Sequence, residues 1–355
     1  MIMAGLSDFF KGKRVLITGN TGFKGSWLSH MLLGMGADVL GYSLQPDTKP
    51  SMFSETGLGR KMATRFSDIR DFDALLSAFA EHKPEIVFHL AAQPLVRKSY
   101  EEPRYTFDAN LMGTVNVLEC LRQQRGVKSA VLVTTDKVYK PASSAKPHTE
   151  GDELGGDDPY SASKACCELA INSYRKSFSG AGKGKQLFAS ARAGNVIGGG
   201  DWSADRLMPD IIRSRFEKKG KLAIRNPDAV RPWQHVLDPL TGYLLLSKCL
   251  YDGKSEFADA WNFAPKTDDM VSVKQILSIA DSIMGKVSYD VVPDASKPET
   301  KILNLDAGKA ISNLGWEQRI RIKKALEMTF EWYGAHYSGK DCAELTLRQI
   351  KEHAR

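Results

Sequence analysis

Two short runs bring together side chains able to move protons and a hydride: T-T-D-K-V-Y from Thr134 to Tyr139, and Y-S-A-S-K from Tyr160 to Lys164. The first sets a hydroxyl (Thr135), a carboxylate (Asp136) and an amine (Lys137) directly after an apolar run. The second spaces a phenol and an amine one helical turn apart, so Tyr160 and Lys164 can address the same ligand. A free phenol titrates at about 10, too high for a good base at neutral pH. Lys164 is therefore expected to lower the Tyr160 pKa by stabilising phenolate, with Thr135 sharing the same substrate hydroxyl. Such a set suits an enzyme that moves a hydride and handles protons on one carbon skeleton.

The elements that must position these groups can be read from hydrophobic periodicity. Short buried-strand patterns occur at Arg14 to Thr18, Ala37 to Ser43, Ile86 to Leu90, Ala130 to Thr134 and Leu187 to Ala191. Helical patterns lie between them near Phe72 to Glu81, Tyr105 to Arg122 and Ser161 to Phe178. This alternation predicts an α/β fold, a Rossmann-type doubly wound parallel sheet with helices on both faces. After Arg192 the pattern becomes irregular, with Gly198, Gly199 and Gly200 and several prolines, as expected of a smaller mixed α/β substrate-binding lobe. The expected division is a dinucleotide domain at 1–191, completed by about 235–264 through the helical run Pro239 to Tyr251 and the strand-like Trp261 to Ala264. Residues 192–234 and 265–355 then form the second lobe.

The run T-G-N-T-G-F-K-G follows the first strand and opens a helix, with Gly19, Gly22 and Gly25 three apart. Glycines there permit a tight turn and close approach of a diphosphate to backbone N–H groups at the helix N-terminus, where the dipole favours negative charge. Thr21 and Phe23 belong to the same loop, and Leu90, Ala91 and Ala92 end the fourth strand beside it. The second strand ends G-Y-S-L-Q with no carboxylate for a ribose 2′-hydroxyl, leaving Ser43 as its polar candidate and the choice between NAD and NADP open. Asp68 with Ile69 either holds an adenine or caps the helix before Asp71.

Bulk properties exclude several classes. A chain of 355 residues with 42% hydrophobic and 26% charged residues buries a full core. No apolar run reaches the length of a membrane span, and Met1 to Lys13 is too short and polar for a secretion signal, so a cytoplasmic protein is expected. The formal charge of +7 comes from Lys and Arg scattered among acids, which fits an anionic small molecule and not a nucleic acid. The five cysteines show neither a paired framework nor metal-ligand spacing, so reduced thiols and no metal are expected.

These motifs resemble the extended short-chain dehydrogenase/reductase family along nearly the whole chain. T-G-N-T-G-F-K-G-S-W-L, A-A-Q-P-L-V-R, T-T-D-K-V-Y, P-Y-S-A-S-K, R-A-G-N-V-I-G-G-G-D-W and R-P-W-Q-H-V-L-D-P-L together look most like its CDP-glucose 4,6-dehydratase branch. The resemblance implies NAD as cofactor, CDP-D-glucose as substrate and a 4-keto-6-deoxy product leading to dideoxy sugars of bacterial surface polysaccharides such as lipopolysaccharide O-antigen. It also implies a homodimer, with a tetramer as the alternative, through helices near Tyr105 to Arg122 and Ser161 to Phe178. In related dehydratases an adjacent Asp and Glu serve as acid and base; here the pair is Asp136 and Lys137.

For the substrate, Arg231 in R-P-W-Q-H-V and Asn195 in A-G-N-V match positions that contact diphosphate in related enzymes, and Arg bonds phosphate bidentately. Arg206, His235 and Gln93 are further candidate substrate contacts, Arg97 and Tyr100 lying near Gln93. Two other readings compete: a nucleotide-sugar 4-epimerase of the same fold, which has no use for the Asp136–Lys137 pair, and a non-catalytic NAD-sensing regulator, which has no use for Tyr160 and Lys164.

Overall fold

The apolar runs fold as strands whose alternate side chains enter opposite layers. In β1 (Arg14–Thr18), Val15 and Ile17 join one buried cluster and Leu16 the other; in β4 (Ile86–His89), Ile86 and Phe88 divide from Val87 in the same way. Both faces are therefore covered by helices, as a parallel sheet requires. A computed structural model describes residues 2–141, 146–179, 186–217, 220–292 and 304–355.

With β2 (Asp38–Ser43), β3 (Ala63–Phe66), β5 (Ser129–Val133) and β6 (Leu187–Ala193), the described strands build a parallel sheet in the order β3-β2-β1-β4-β5-β6. The strand Ala260–Phe263 adds to the far edge, pairing in parallel with β6. The order reverses between β1 and β4, which opens a crevice at their carboxyl ends, where doubly wound sheets bind ligands.

Short two-stranded pieces lie beyond β6: Val196–Ile197 with Gln234–His235, Leu222–Ile224 with Tyr289–Val291, and Val230–Pro232 with Met270–Ser272. The first helix lies where the hydrophobic pattern predicts none, and the helices Leu207–Phe216, Val273–Met284, Gly308–Leu314, Ile322–Tyr337 and Cys342–Ala354 fill the irregular second half. α1 (Ile2–Phe10) buries Met3, Leu6 and Phe10 and packs near the helices Leu237–Tyr251 and Cys342–Ala354. Its three anchors are too few to stand out in so short a run, and only the packed partners explain them. Among the described residues no helix is long and apolar enough to cross a membrane.

Candidate active site

Gly19 follows β1, Leu90 to Ala92 follow β4, Thr134 and Thr135 follow β5, and Asn195 follows β6, so the sheet delivers them to one edge. They line a cavity of about 900 Å³ together with Tyr160, Lys164, Arg206 and Arg231.

The glycine loop is held by close approaches that side chains would block. Gly19 has φ +77°, and a Cβ there would sit 2.6 Å from the Ala91 amide nitrogen. A Cβ on Gly25 would collide with the Gly19 carbonyl oxygen. The turn therefore seats the N-terminus of α2 (Phe23–Gly34) against the loop, with Gly22 as its N-cap and no side chain capping its first amides. Open amides, a small-residue cradle and a deep cavity fit the diphosphate of a dinucleotide. Thr21 and Ser43 share a hydrogen bond of 2.7 Å at the next strand end, and both line the cavity. Ile69 and Phe23 also line it. Asp68 lines it too, but Asp71 caps the following helix, accepting from the Ala74 amide at 3.0 Å. The cap reading of Asp68 is thereby corrected: its carboxylate bonds Arg70 instead, at 2.7 Å, and that bond holds its pKa down.

At the end of β5 the chain turns sharply through a short helix, Asp136–Val138, whose cap is Thr135. The Thr135 hydroxyl donates to Oδ1 of Asp136 at 3.0 Å. Asp136 is buried, and its Oδ2 has no hydrogen-bond partner among the described residues. Lys137 lines the same cavity. The helix Pro159–Phe178 starts from Asp158, which accepts from the Ser161 amide at 2.9 Å, and Pro159 occupies the first turn where a missing N–H costs nothing. That start sets the Tyr160 phenol in the same cavity as Thr135, near enough for the Thr135 hydroxyl to act on it.

The expected lowering of the Tyr160 pKa does not appear in the ligand-free protein. Burial pushes it up to about 12, opposed by the nearby Thr135 hydroxyl and by the charge of Arg206. Lys164 is buried, its own pKa lowered by desolvation, and its ammonium donates to the Val133 carbonyl at 3.3 Å. The four-residue spacing aligns the two groups on the helix, but burial dominates the phenol.

Behind the turn lies a buried network. Arg192 of β6 meets Glu168, one helical turn beyond Lys164, at 2.8 Å. Thr134 donates to Glu168 at 2.5 Å and Ser190 at 2.7 Å, while Arg192 donates to the Tyr139 hydroxyl at 2.7 Å. Tyr139 donates in turn to Asn262 at 2.7 Å. Residues flanking the turn are thus tied to the helix, β6 and the seventh strand.

Of the candidates for the second lobe, Asn195, Arg206 and Arg231 line the cavity. Arg206 is paired with Asp201 at 3.0 Å. Gln93 lines it as well, but its side-chain amide is spent on Leu95 and Thr106, so it braces a loop. His235 is a correction: it is fully buried outside the cavity lining, edge-on to Trp27 at 5.9 Å, and its Nδ1 faces the Leu237 amide at 3.4 Å. Burial lowers its pKa to about 3, so it is a neutral core residue. Sequence reasoning missed three cavity-lining cations, Arg225, Lys98 and Lys24. Arg225 carried no motif, whereas Lys24 stands within the glycine run itself.

A family model described as GDP-mannose 4,6 dehydratase matches residues 16–329. The CDP-glucose 4,6-dehydratase of Salmonella typhimurium is 44% identical over 98% of this chain and 97% of its own. A UDP-glucuronate 4-epimerase of Thermodesulfobacterium geofontis is 28% identical over 89% of this chain and 95% of its own. In fold, the chain is similar to the dTDP-glucose 4,6-dehydratase DesIV of Streptomyces venezuelae, solved with NAD bound, at a TM-score of 0.79 and 23% identity, over 92% of this chain and 99% of that one. By the length of the family match and by its 44% identity to a curated dehydratase, this chain belongs to the GDP-mannose 4,6-dehydratase family.

Proposed function

We propose that this protein is an NAD-dependent lyase converting CDP-D-glucose to CDP-4-keto-6-deoxy-D-glucose and water. The substrate follows from the 44% identical relative, a CDP-glucose 4,6-dehydratase matched over nearly its full length. The chemistry rests on one observation above all: Asp136 Oδ2 is buried, without a partner among the described residues, in the cavity that also holds Tyr160 and Lys137. A 4-epimerase has no use for an acid poised there.

When bound, NAD supplies reversible storage of the C4 hydride, which returns at C6. Gly19, Thr21, Gly22, Phe23 and Gly25 would hold its diphosphate, with Ser43, Asp68, Ile69 and Leu90 to Ala92 toward its nucleoside ends. Tyr160 takes the proton of the sugar 4-hydroxyl, with Thr135 bonding the same oxygen and Lys164 holding the ribose side. With its pKa at about 12 in the free protein, Tyr160 depends on positive charge arriving with its ligands. Once C4 is a ketone the C5 proton is acidic; Lys137 removes it while Asp136 protonates the 6-hydroxyl, which leaves as water. Asn195, Arg206 and Arg231 face the substrate diphosphate. We read residues 1–191 with about 235–264 as the cofactor domain, and 192–234 with 265–355 as the substrate lobe.

The same reading places the protein in the cytoplasm, where its free cysteines stay reduced and nucleotide sugars are made, feeding deoxysugars toward O-antigen. A homodimer through the helices Gly113–Gln123 and Pro159–Phe178 is supported by Leu169, 59% exposed, and Phe178, 45% exposed. Light scattering on Leu169→Glu tests this, a dimeric variant counting against that face.

The activity is tested by incubating the protein with CDP-, dTDP-, GDP- and UDP-glucose deuterated at C4 and weighing the products. Loss of water with deuterium retained, from the CDP sugar alone, is expected. Unchanged mass with inverted C4 would identify an epimerase.

A further inference from the structure

Lys24 is the second residue of α2 and stands in the glycine loop, where close packing favours small or apolar side chains. It is half-buried and lines the cavity. Among the described residues it makes no hydrogen bond or ion pair. Its charged neighbours come from three separate elements: Arg206 before the helix Leu207–Phe216, Asp136 after β5, and Lys164 on the helix Pro159–Phe178. Arg206 is satisfied by Asp201 and Lys164 by the Val133 carbonyl. Lys24 is the member of these three cations left unpartnered within the described structure, and its only acidic influence, Asp136, lies beyond ion-pair distance.

An ammonium held against two other cations is costly unless an anion enters the cavity. We propose that the Lys24 side chain binds a diphosphate in this cavity, adding a mobile point charge to the fixed backbone amides of the loop. Two diphosphates meet here on the functional reading above, that of NAD and that of the nucleotide sugar, and the inference rests on that reading for the second. Desolvation and Arg206 lower the Lys24 pKa to about 8, with Asp136 opposing, so the charge that binds the diphosphate is lost within an accessible pH range. The sign is clear: affinity is full below about pH 7 and falls as pH rises past 8.

The test is calorimetric titration of the full-length protein with NAD and with CDP at pH 7 and pH 9, for wild type, Lys24→Met and Lys24→Arg. For the diphosphate that Lys24 contacts, Lys24→Met weakens binding about tenfold at pH 7, and wild-type affinity falls about tenfold by pH 9. Lys24→Arg, whose guanidinium stays charged, keeps the affinity and loses the pH dependence. Weakening of NAD alone, of CDP alone or of both identifies the diphosphate concerned. Unchanged binding of both by Lys24→Met, or a wild-type pH response retained in Lys24→Arg, overturns the proposal. Absence of CDP binding to the wild type would instead count against the substrate reading, leaving the NAD arm to judge Lys24.

Discussion

Glu168 and Arg192 form a fork-to-fork ion pair, with Nη2–Oε2 at 2.8 Å and Nε–Oε1 at 3.0 Å, each side chain 3% exposed. Burial alone would raise the Glu168 pKa. Arg192 and hydrogen bonds from Thr134 and Ser190 outweigh it and leave the carboxylate ionised. The pair fastens the helix carrying Tyr160 and Lys164 to β6, and the Thr134 hydroxyl donating to the same Glu168 ties that helix to the end of β5 that leads into Thr135 and Asp136, so redox and elimination groups keep one relative geometry.

Breaking that pair strands a buried guanidinium. Glu168→Gln is expected to lose about 3 kcal/mol of stability in urea unfolding at pH 7. Because the folded pKa of Glu168 is lowered, its contribution is present above the unfolded value of about 4.3 and disappears as pH falls through the folded one. The gap between wild type and variant should therefore narrow in acid; a gap constant down to pH 3 would contradict this account.

Asp136 and Lys137 separate by isotope. Asp136→Asn is expected to lower dehydration about 100-fold or more while C5 exchange with solvent continues, since only protonation of the leaving hydroxyl is lost. Lys137→Met should lose both. Full C5 exchange in the Lys137 variant would rule it out as the base.

The glycine cradle gives a steric prediction. Gly25→Ala forces a methyl onto the Gly19 carbonyl, and relief of about 1–3 kcal/mol of overpacking must come from the loop. NAD binding measured by calorimetry should weaken about tenfold or more. Wild-type affinity in this variant would show that the loop relaxes freely.

His235 tests a role that the structure removes. His235→Ala is expected to cost about 2 kcal/mol of stability through lost packing against Trp27, with KM for the nucleotide sugar within about twofold of wild type. A large rise in KM at unchanged stability would restore it to the substrate site.

What the chain determined by itself is local and periodic. Gly19, Gly22 and Gly25 announce a phosphate turn because only backbone can pack that closely, and Tyr160 and Lys164 share a helix face because 3.6 residues make a turn. Alternating apolar runs specify a sheet covered on both faces, hence parallel, and the expected strands lie within a residue or two of those observed. Only the tertiary structure decided the environment of each polar group, because burial and charge are set by residues distant in sequence. His235 and Arg231 are four apart in one motif, yet one is enclosed by Trp27 and the other lines the cavity. Tyr160 carries its signature in five letters, but its high pKa depends on desolvation by the assembled fold. Lys24 was in plain view within the glycine run; that it faces Asp136, Arg206 and Lys164 is known only once strand order brings four chain segments to one edge of the sheet.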